Sequence, residues 1–214
     1  VVRRGATSTP NSSGVIVSQW NDKSGNASHM TQGTVGNQPA RDSTINSLSA
    51  VNFPSGKKMA TSDPGSTTSQ PVTVFAIATT TISVGSQNLL STGYATTTGA
   101  TVGASGSASL IYAGSNATAG TLATSTAYAL QWTVNGASSE IRVDGGADLT
   151  AANPGSGGYR GYALGSYQSS GSGDWWAGLI AEVLVYTGAL SLANINAVGS
   201  YLGTRWGVTW TTAT

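Results

Sequence analysis

The sequence predicts an all-β fold, a two-sheet antiparallel sandwich of jelly-roll type closed by one short C-terminal helix. The first observation is a tally of about ten short strand-like runs, with turn signals roughly every 8–12 residues. The second is the run from Trp175 to Tyr186, which is apolar almost throughout and carries Glu182 as its only charge. It mixes β-branched and aromatic residues and stops at Gly188, the pattern of a strand buried on both faces. The third is composition. Only 8% of residues are charged, yet 39% are apolar, with 6 Trp and 8 Tyr among them. That apolar share separates the chain from disordered low-charge sequences.

The 214 residues suit one domain, residues 1–214, because β-sandwiches commonly reach about 200–250 residues as a single unit. The start at Val1 rather than Met is expected of a processed chain or a piece of a longer one, and residues 1–13 read as an irregular lead-in. A net charge of +1 with basic pairs only at Arg3-Arg4 and Lys57-Lys58 speaks against a nucleic-acid partner, which calls for a clustered basic face. No run approaches the roughly 18 apolar residues of a membrane span, and no signal peptide is recognisable. The absence of cysteine excludes disulfides and thiolate metal sites.

Along the chain, Val15–Val17 leads to Trp20 as a short strand, followed by a turn-rich stretch from Asn21 to Asn26. Residues 38–46 read as loop with short extended pieces. Leu48–Phe53 is a strand ending at Pro54-Ser55-Gly56. Val72–Ile82 is a clear central strand, with Val72, Val74, Ala76 and Ala78 on one face and Phe75 and Ile77 on the other. Residues 83–126 are rich in small residues, with Leu89-Leu90, Tyr94 and Leu110–Tyr112 as strand pieces. Tyr128–Val134 and Glu140–Val143 form a hairpin around Asn135-Gly136, and Tyr159–Leu164 is a further strand. Ser191 is an N-cap for a helix carrying Leu192, Ile195, Tyr201, Leu202 and Trp206, with Gly203 and Gly207 as stops.

Three segments carry a resemblance. SQWNDKSGNASHMTQGTVGNQPA (Ser18–Ala40) followed by NSLSAVNFPSG (Asn46–Gly56) resembles the opening of concanavalin A-like, laminin-G-like jelly-roll domains. The hairpin at IRVDGG is similar to their v-D-G turn. GDWWAGLIAEVLVYTGALSLANINAVGSYLGTRWG (Gly173–Gly207) resembles their closing strand and helix. With VVRR ahead of them, the segments are similar to a branch common in tailed-phage virion proteins, itself similar to the jelly-roll domain of certain fungal α-L-arabinofuranosidases. The resemblance implies two packed sheets and, in many members, glycan binding on the concave sheet or on loops at one rim. It does not imply catalysis, since function resides in the site rather than the fold.

Glycosidases of the usual kind need two carboxylates about 5–10 Å apart. Glu140 and Asp144 lie close in sequence, but the spacing differs from the E-x-D-x-x-E of related β-glucanases, and Asp144 sits in a turn. The arabinofuranosidase-like branch implies an acidic residue where this chain has Ala177. The expectation is therefore no enzymatic activity. Glu182 reads as a structural anchor and His29 as a loop residue. No cofactor is expected. Calcium is the one candidate ion, at Asp22 and Asn26 with Asn21 in the same loop, and Asp144 and Asp148 are a second pair; turn formation is the competing role at both places.

Tyr94, Tyr112, Tyr159, Tyr162, Tyr167 and Trp210 fall in or beside loops, whereas Trp20, Trp132, Trp175 and Trp206 read as core. Two loop sets could form a binding rim, residues 21–29 and residues 159–174. The second offers flat stacking surfaces and hydrogen-bonding groups among glycines, and the expected ligand-binding residues are Tyr159, Arg160, Tyr167 and Asp174. The alternative is a surface loop that is glycine-rich for local reasons. The function this suggests is a non-catalytic, lectin-like module of a virion or surface assembly, outside the cell. Its partners would be other subunits and glycans. A free secreted carbohydrate-binding module and an arabinofuranosidase-like hydrolase are the alternatives.

Overall fold

The computed structural model describes residues 2–4, 15–95, 98–171 and 173–212. Two antiparallel sheets and one helix make three layers. The larger sheet has nine strands: β1 (Val2–Arg4), β2 (Val15–Ile16), β5 (Ala40–Ile45), β6 (Leu48–Phe53), β8 (Val72–Ala78), β13 (Tyr128–Val134), β14 (Ser139–Val143), β15 (Gly146–Ala152) and β17 (Gly178–Thr187). They run in the order β15-β14-β13-β8-β17-β6-β5-β2, with β1 also paired to β17. The eight-stranded sheet contains β3 (Gln19–Trp20), β4 (Met30–Thr31), β7 (Met59–Ala60), β9 (Ser86–Thr92), β10 (Thr101–Ser105), β11 (Ala108–Tyr112), β12 (Asn116–Ala119) and β16 (Tyr162–Leu164). Its order is β12-β11-β10-β9-β16-β7-β4-β3. Consecutive strands pair as meanders in β13–β14–β15 and β9–β10–β11–β12, while steps such as β7 to β8 and β8 to β9 carry the chain from one sheet to the other.

The two-sided strands obey the period of two. Val72, Val74, Ala76 and Ala78 of β8 point into the core between the sheets with Trp20, Trp132 and Trp176. Phe75 and Ile77 point the other way and pack with Ala181 and Leu184 against Ile195, Leu202 and Trp206 of the helix α1 (Leu192–Trp206). Ser191 caps α1 by accepting a hydrogen bond from the Asn194 N–H (3.3 Å). The helix ends at Gly207, which takes the left-handed conformation (φ 64°). Gly203 is not a stop but a buried residue inside the last turns.

Glu182 lies beneath this helix and is 3% exposed. A bulge between Ile180 and Glu182 turns its side chain toward α1, where Trp206 Nε1 donates to its Oε2 at 2.8 Å. Arg205, half-exposed, approaches the same oxygen at 3.3 Å. The carboxylate thus has a donor and a counter-charge at a depth where an unpaired one would be strongly unfavourable.

Several sequence expectations are corrected. Val2–Arg4 is not irregular lead-in but a strand paired with Val183–Val185; residues 5–13 of that lead-in lie outside the described residues. Residues 40–45 are a full strand, joined to β6 by a turn in which Asn46 (φ 50°) and Ser47 (φ 60°) are both left-handed, the geometry of a tight hairpin. Asn135-Gly136 is not a two-residue hairpin turn, since Gly136–Ser138 forms a 3-10 turn before β14. Asp144 (φ 53°) and Gly145 (φ 86°) make the tight turn instead, between β14 and β15. Trp176 rather than Trp175 is the core tryptophan. Trp210 is half-buried, its ring 6.2 Å from that of Phe75, while Tyr201 is exposed. Among the described residues no helix is long and apolar enough to cross a membrane.

The seat of α1 can be tested by denaturation. Glu182→Ala is expected to lower unfolding stability by about 2–3 kcal/mol, since it leaves the Trp206 N–H buried without an acceptor. Arg205→Ala should cost below about 1 kcal/mol, because that partner is solvated. Equal losses for the two variants in urea titrations would contradict this assignment.

Candidate functional site

Val102 and Ile111 belong to the core between the sheets, so Thr101, Leu110 and Tyr112 alternate to the opposite face of the eight-stranded sheet. Register sets Tyr112 beside both Thr101 and Asn116, and Leu110 beside Gly103, which in turn faces Asn88. Gly103 is required there, because a Cβ would run into the Gln87 carbonyl at the bulge after Val102. The outer face of β9–β12 is therefore a shallow floor bordered by larger side chains.

Residues 165–171 cross this face as a strap fastened to β9. Gly165 N–H donates to the Leu89 carbonyl (3.1 Å), and Ser169 N–H to the Gly93 carbonyl (2.8 Å). Ser91 Oγ donates to the Ser166 carbonyl (2.8 Å) and accepts from Gln168 N–H (2.9 Å). Further on, the Asp174 carbonyl accepts from both the backbone N–H (2.8 Å) and Nδ2 (3.1 Å) of Asn88. Lys58 donates from Nζ to the Gly171 carbonyl (2.9 Å) and lies 5.5 Å from the centre of the Trp175 ring. Burial pulls the Lys58 ammonium below its ordinary range.

Between strap and strands lies an open cleft of about 360 Å3. Tyr167 and Asp174 enter from the strap side, Tyr112 and Asn116 from the β11–β12 hairpin, and Ser86 from the start of β9. Thr101 Oγ1 donates to Asn88 Oδ1 (2.6 Å), which orients the Asn88 amide at the base. The side-chain polar atoms of Ser86, Tyr112, Asn116, Tyr167 and Asp174 have no hydrogen-bond or ionic partner among the described residues. Two phenol rings, an amide, a hydroxyl and a carboxylate thus converge with their valences unspent. A second cleft of about 260 Å3, lined by Gln32, Lys58, Thr61 and Tyr94 among others, lies on the far side of the strap. Its larger polar side chains are engaged: Tyr94 Oη donates to the Thr61 carbonyl (2.9 Å), Gln32 Nε2 to the Lys58 carbonyl (3.1 Å) and Lys58 Nζ to the Gly171 carbonyl.

Of the four expected ligand-binding residues, the structure brings Tyr167 and Asp174 into the cleft and sends the other two elsewhere. Tyr159 is only 1% exposed and packs against Tyr162 with the rings tilted by 41°, at 5.5 Å between ring centres. Burial holds its phenol neutral, far above the usual range. Its backbone pairs with Thr68, and the loop-like YRGY stretch runs inside the sheet, bonded to Gly93 and Tyr94 on one side and to Thr61 and Thr68 on the other. Arg160 is engaged by Asp63 in a two-pronged pair, Nε to Oδ1 and Nη2 to Oδ2, both 2.9 Å. The residues missed in sequence are Ser86, Asn88 and Asn116, with Tyr112 noted only as a loop aromatic. They lie as much as 88 positions from Asp174, and only the strand register unites them.

The other candidates are turn and strand residues. Asp22, 7% exposed, accepts from Ser24 N–H (2.8 Å), Ser24 Oγ (2.9 Å) and Ser28 N–H (3.0 Å), while its own N–H donates to His29 Nδ1 (3.1 Å). Asn26 N–H donates to Ser24 Oγ (3.2 Å) in the same turn. Asp144 Oδ1 accepts from Ala129 N–H (2.8 Å) and Asp148 Oδ2 from Val143 N–H (2.8 Å). The carboxylates of Asp22, Asp144 and Asp148 therefore each accept from backbone N–H groups. Among the described residues no three His, Asp or Glu side chains cluster as a metal site would require. Glu140 pairs with Arg142 (3.4 Å) on β14 rather than with a second carboxylate.

No protein-family model matches the chain, and no curated protein sequence does. Solved structures do. A GH54 α-L-arabinofuranosidase superposes with TM-score 0.66 at 15% identity, over 89% of this chain and 51% of the other. Domain 4 of AbnA, a GH43 extracellular arabinanase from Geobacillus stearothermophilus, solved in complex with arabinotriose, gives 0.64 at 15% identity, over 88% of this chain and all of that domain. Trypanosoma rangeli sialidase in complex with sialic acid gives 0.61 at 14% identity, over 97% of this chain. The chain spans about a third of the sialidase and half of the arabinofuranosidase. The fold is thus a concanavalin A-like β-sandwich, shared with proteins that act on or bind carbohydrates.

The Arg160 pair makes a checkable case. Its hydrogen bond holds the Asp63 carboxyl below the ordinary range. A depressed carboxylate stabilises the fold above its unfolded pKa, and that contribution fades as pH falls through the folded value. Arg160→Ala is expected to move the Asp63 midpoint up toward the ordinary range in an NMR pH titration. An unmoved midpoint would show that Arg160 does not hold it.

Proposed function

We propose that this domain is a non-catalytic glycan-binding module whose ligand sits in the cleft formed by Tyr112, Asn116, Tyr167 and Asp174. One observation carries the reading: the side chains there are of the types a sugar needs, and their polar atoms are unspent. A sugar ring presents an apolar C–H face, which suits the flat surface of Tyr112 or Tyr167. Its hydroxyls need convergent acceptors and donors, which the Asp174 carboxylate and the Asn116 amide supply. The fold shared with carbohydrate-active proteins supports the same reading. The non-catalytic part is supported by the lining, where Asp174 is the single carboxylate and glycosidases ordinarily use two.

The setting we propose is a virion or surface assembly outside the cell, in which the domain packs against other subunits. The charge-poor composition, 8% charged residues, supports it, because neutral small-residue surfaces pack together with little desolvation cost. Calcium at the Asp22–Asn26 turn stays a proposal of lower rank, since Asp22 already accepts three hydrogen bonds there.

The test is a glycan array followed by calorimetry on the hits. Tyr167→Ala and Asp174→Ala are each expected to weaken binding by about tenfold or more, about 1.4 kcal/mol, with thermal stability unchanged. Arg160→Ala should leave affinity as it was. Binding that survives both cleft substitutions, or sugar release from arabinan, β-glucan or laminarin, would overturn the proposal.

A further inference from the structure

We infer that the cleft selects neutral saccharides and rejects those carrying a carboxylate. This rests on the glycan-binding reading and specifies its ligand class. Among the residues lining the cleft, Asp174 alone is charged. Its carboxylate is exposed and has no cation paired with it among the described residues. An ionised carboxylate only accepts hydrogen bonds, so it suits a pair of neighbouring sugar hydroxyls, which can both donate. A sugar acid brought to the same place sets two anions side by side, and at contact distance their repulsion opposes binding even where solvent screens it.

Two cations on or next to the strap-bearing segments, Lys58 and Arg160, are otherwise engaged. Lys58 lies across the strap, with its ammonium on the Gly171 carbonyl and over the Trp175 ring. Arg160 is neutralised by Asp63 through two 2.9 Å hydrogen bonds. Neither lines the cleft, so neither offers the bidentate or point-charge contact that recognition of a carboxylate calls for. The remaining lining groups are hydroxyls, amides and a leucine, which match an uncharged polyol.

The experiment is direct titration of the whole chain with arabinotriose, lactose and cellotriose, and with 3′-sialyllactose and trigalacturonate, alongside an array holding both classes. The expected result is binding of at least one neutral glycan, and at least about tenfold weaker binding of every anionic one. Neutral binding should change little between low and high salt, since no ion pair forms. Asp174→Asn keeps the shape but removes the charge, and should narrow the gap between the two classes. An anionic glycan bound as tightly as the neutral ones, or an unchanged gap in Asp174→Asn, would overturn the selectivity while leaving glycan binding standing. No binding by either class would overturn the glycan-binding reading itself.

Discussion

Two strands at the centre of the larger sheet, β8 and β17, are apolar on both faces, and the architecture follows from covering them. One face is met by the eight-stranded sheet, through Val72, Val74, Val183 and Val185. The other requires a separate element, because antiparallel sheets present one face to the core and the second must be solvated or covered. The chain supplies α1, and the buried Glu182 pins it through the Trp206 N–H at 2.8 Å. Burying a large aromatic side chain such as Trp206 stabilises by about 2–3 kcal/mol, so the helix is held chiefly by its apolar face and oriented by the carboxylate.

With the larger sheet enclosed, the outer face of the eight-stranded sheet is left for solvent, strap and cleft. That division explains why the uncommitted polar side chains gather there. The strap is tied to β9 by backbone and Ser91 hydrogen bonds rather than by apolar packing, and its position is therefore set by strand geometry. Its glycines serve that geometry. At Gly171 a side chain would collide with the Tyr167 carbonyl, so the tight return that brings Gly171 to Lys58 depends on the missing Cβ. Tyr167 and Asp174 are consequently held at one edge of the cleft by segments hydrogen-bonded to β9, which lowers the ordering cost of binding.

The low charge content has a structural counterpart. The few ionic groups are mostly spent within the fold: Asp63 with Arg160, Glu140 with Arg142, Glu182 with Arg205, and Asp22 and Asp144 in turns. Asp174 stands out against this background as a carboxylate that organises nothing through its side chain. A group that is exposed and unpaired in so sparingly charged a chain is the natural place to look for recognition.

Much of the fold was legible in the chain itself. Leu48–Phe53 and Tyr128–Val134 could be read to the residue, and the two faces of β8 were separable, because burial on defined faces imposes a period of two. Ser191 and Gly207 marked the helix by capping chemistry that is local. Strands made of small or polar residues, such as Asn116–Ala119 and Gly146–Ala152, left no such trace, since edge strands need neither bulk nor alternation. The site was half legible. Tyr167 and Asp174 were visible as ligand-type residues in a glycine-rich loop, but Tyr159 and Arg160 beside them looked equally suitable. Composition determines which groups can recognise a ligand; only the tertiary structure decided which remain free to do so. A side chain's direction depends on strand register and its availability on partners far away in sequence, as Thr68 and Asp63 decided for Tyr159 and Arg160.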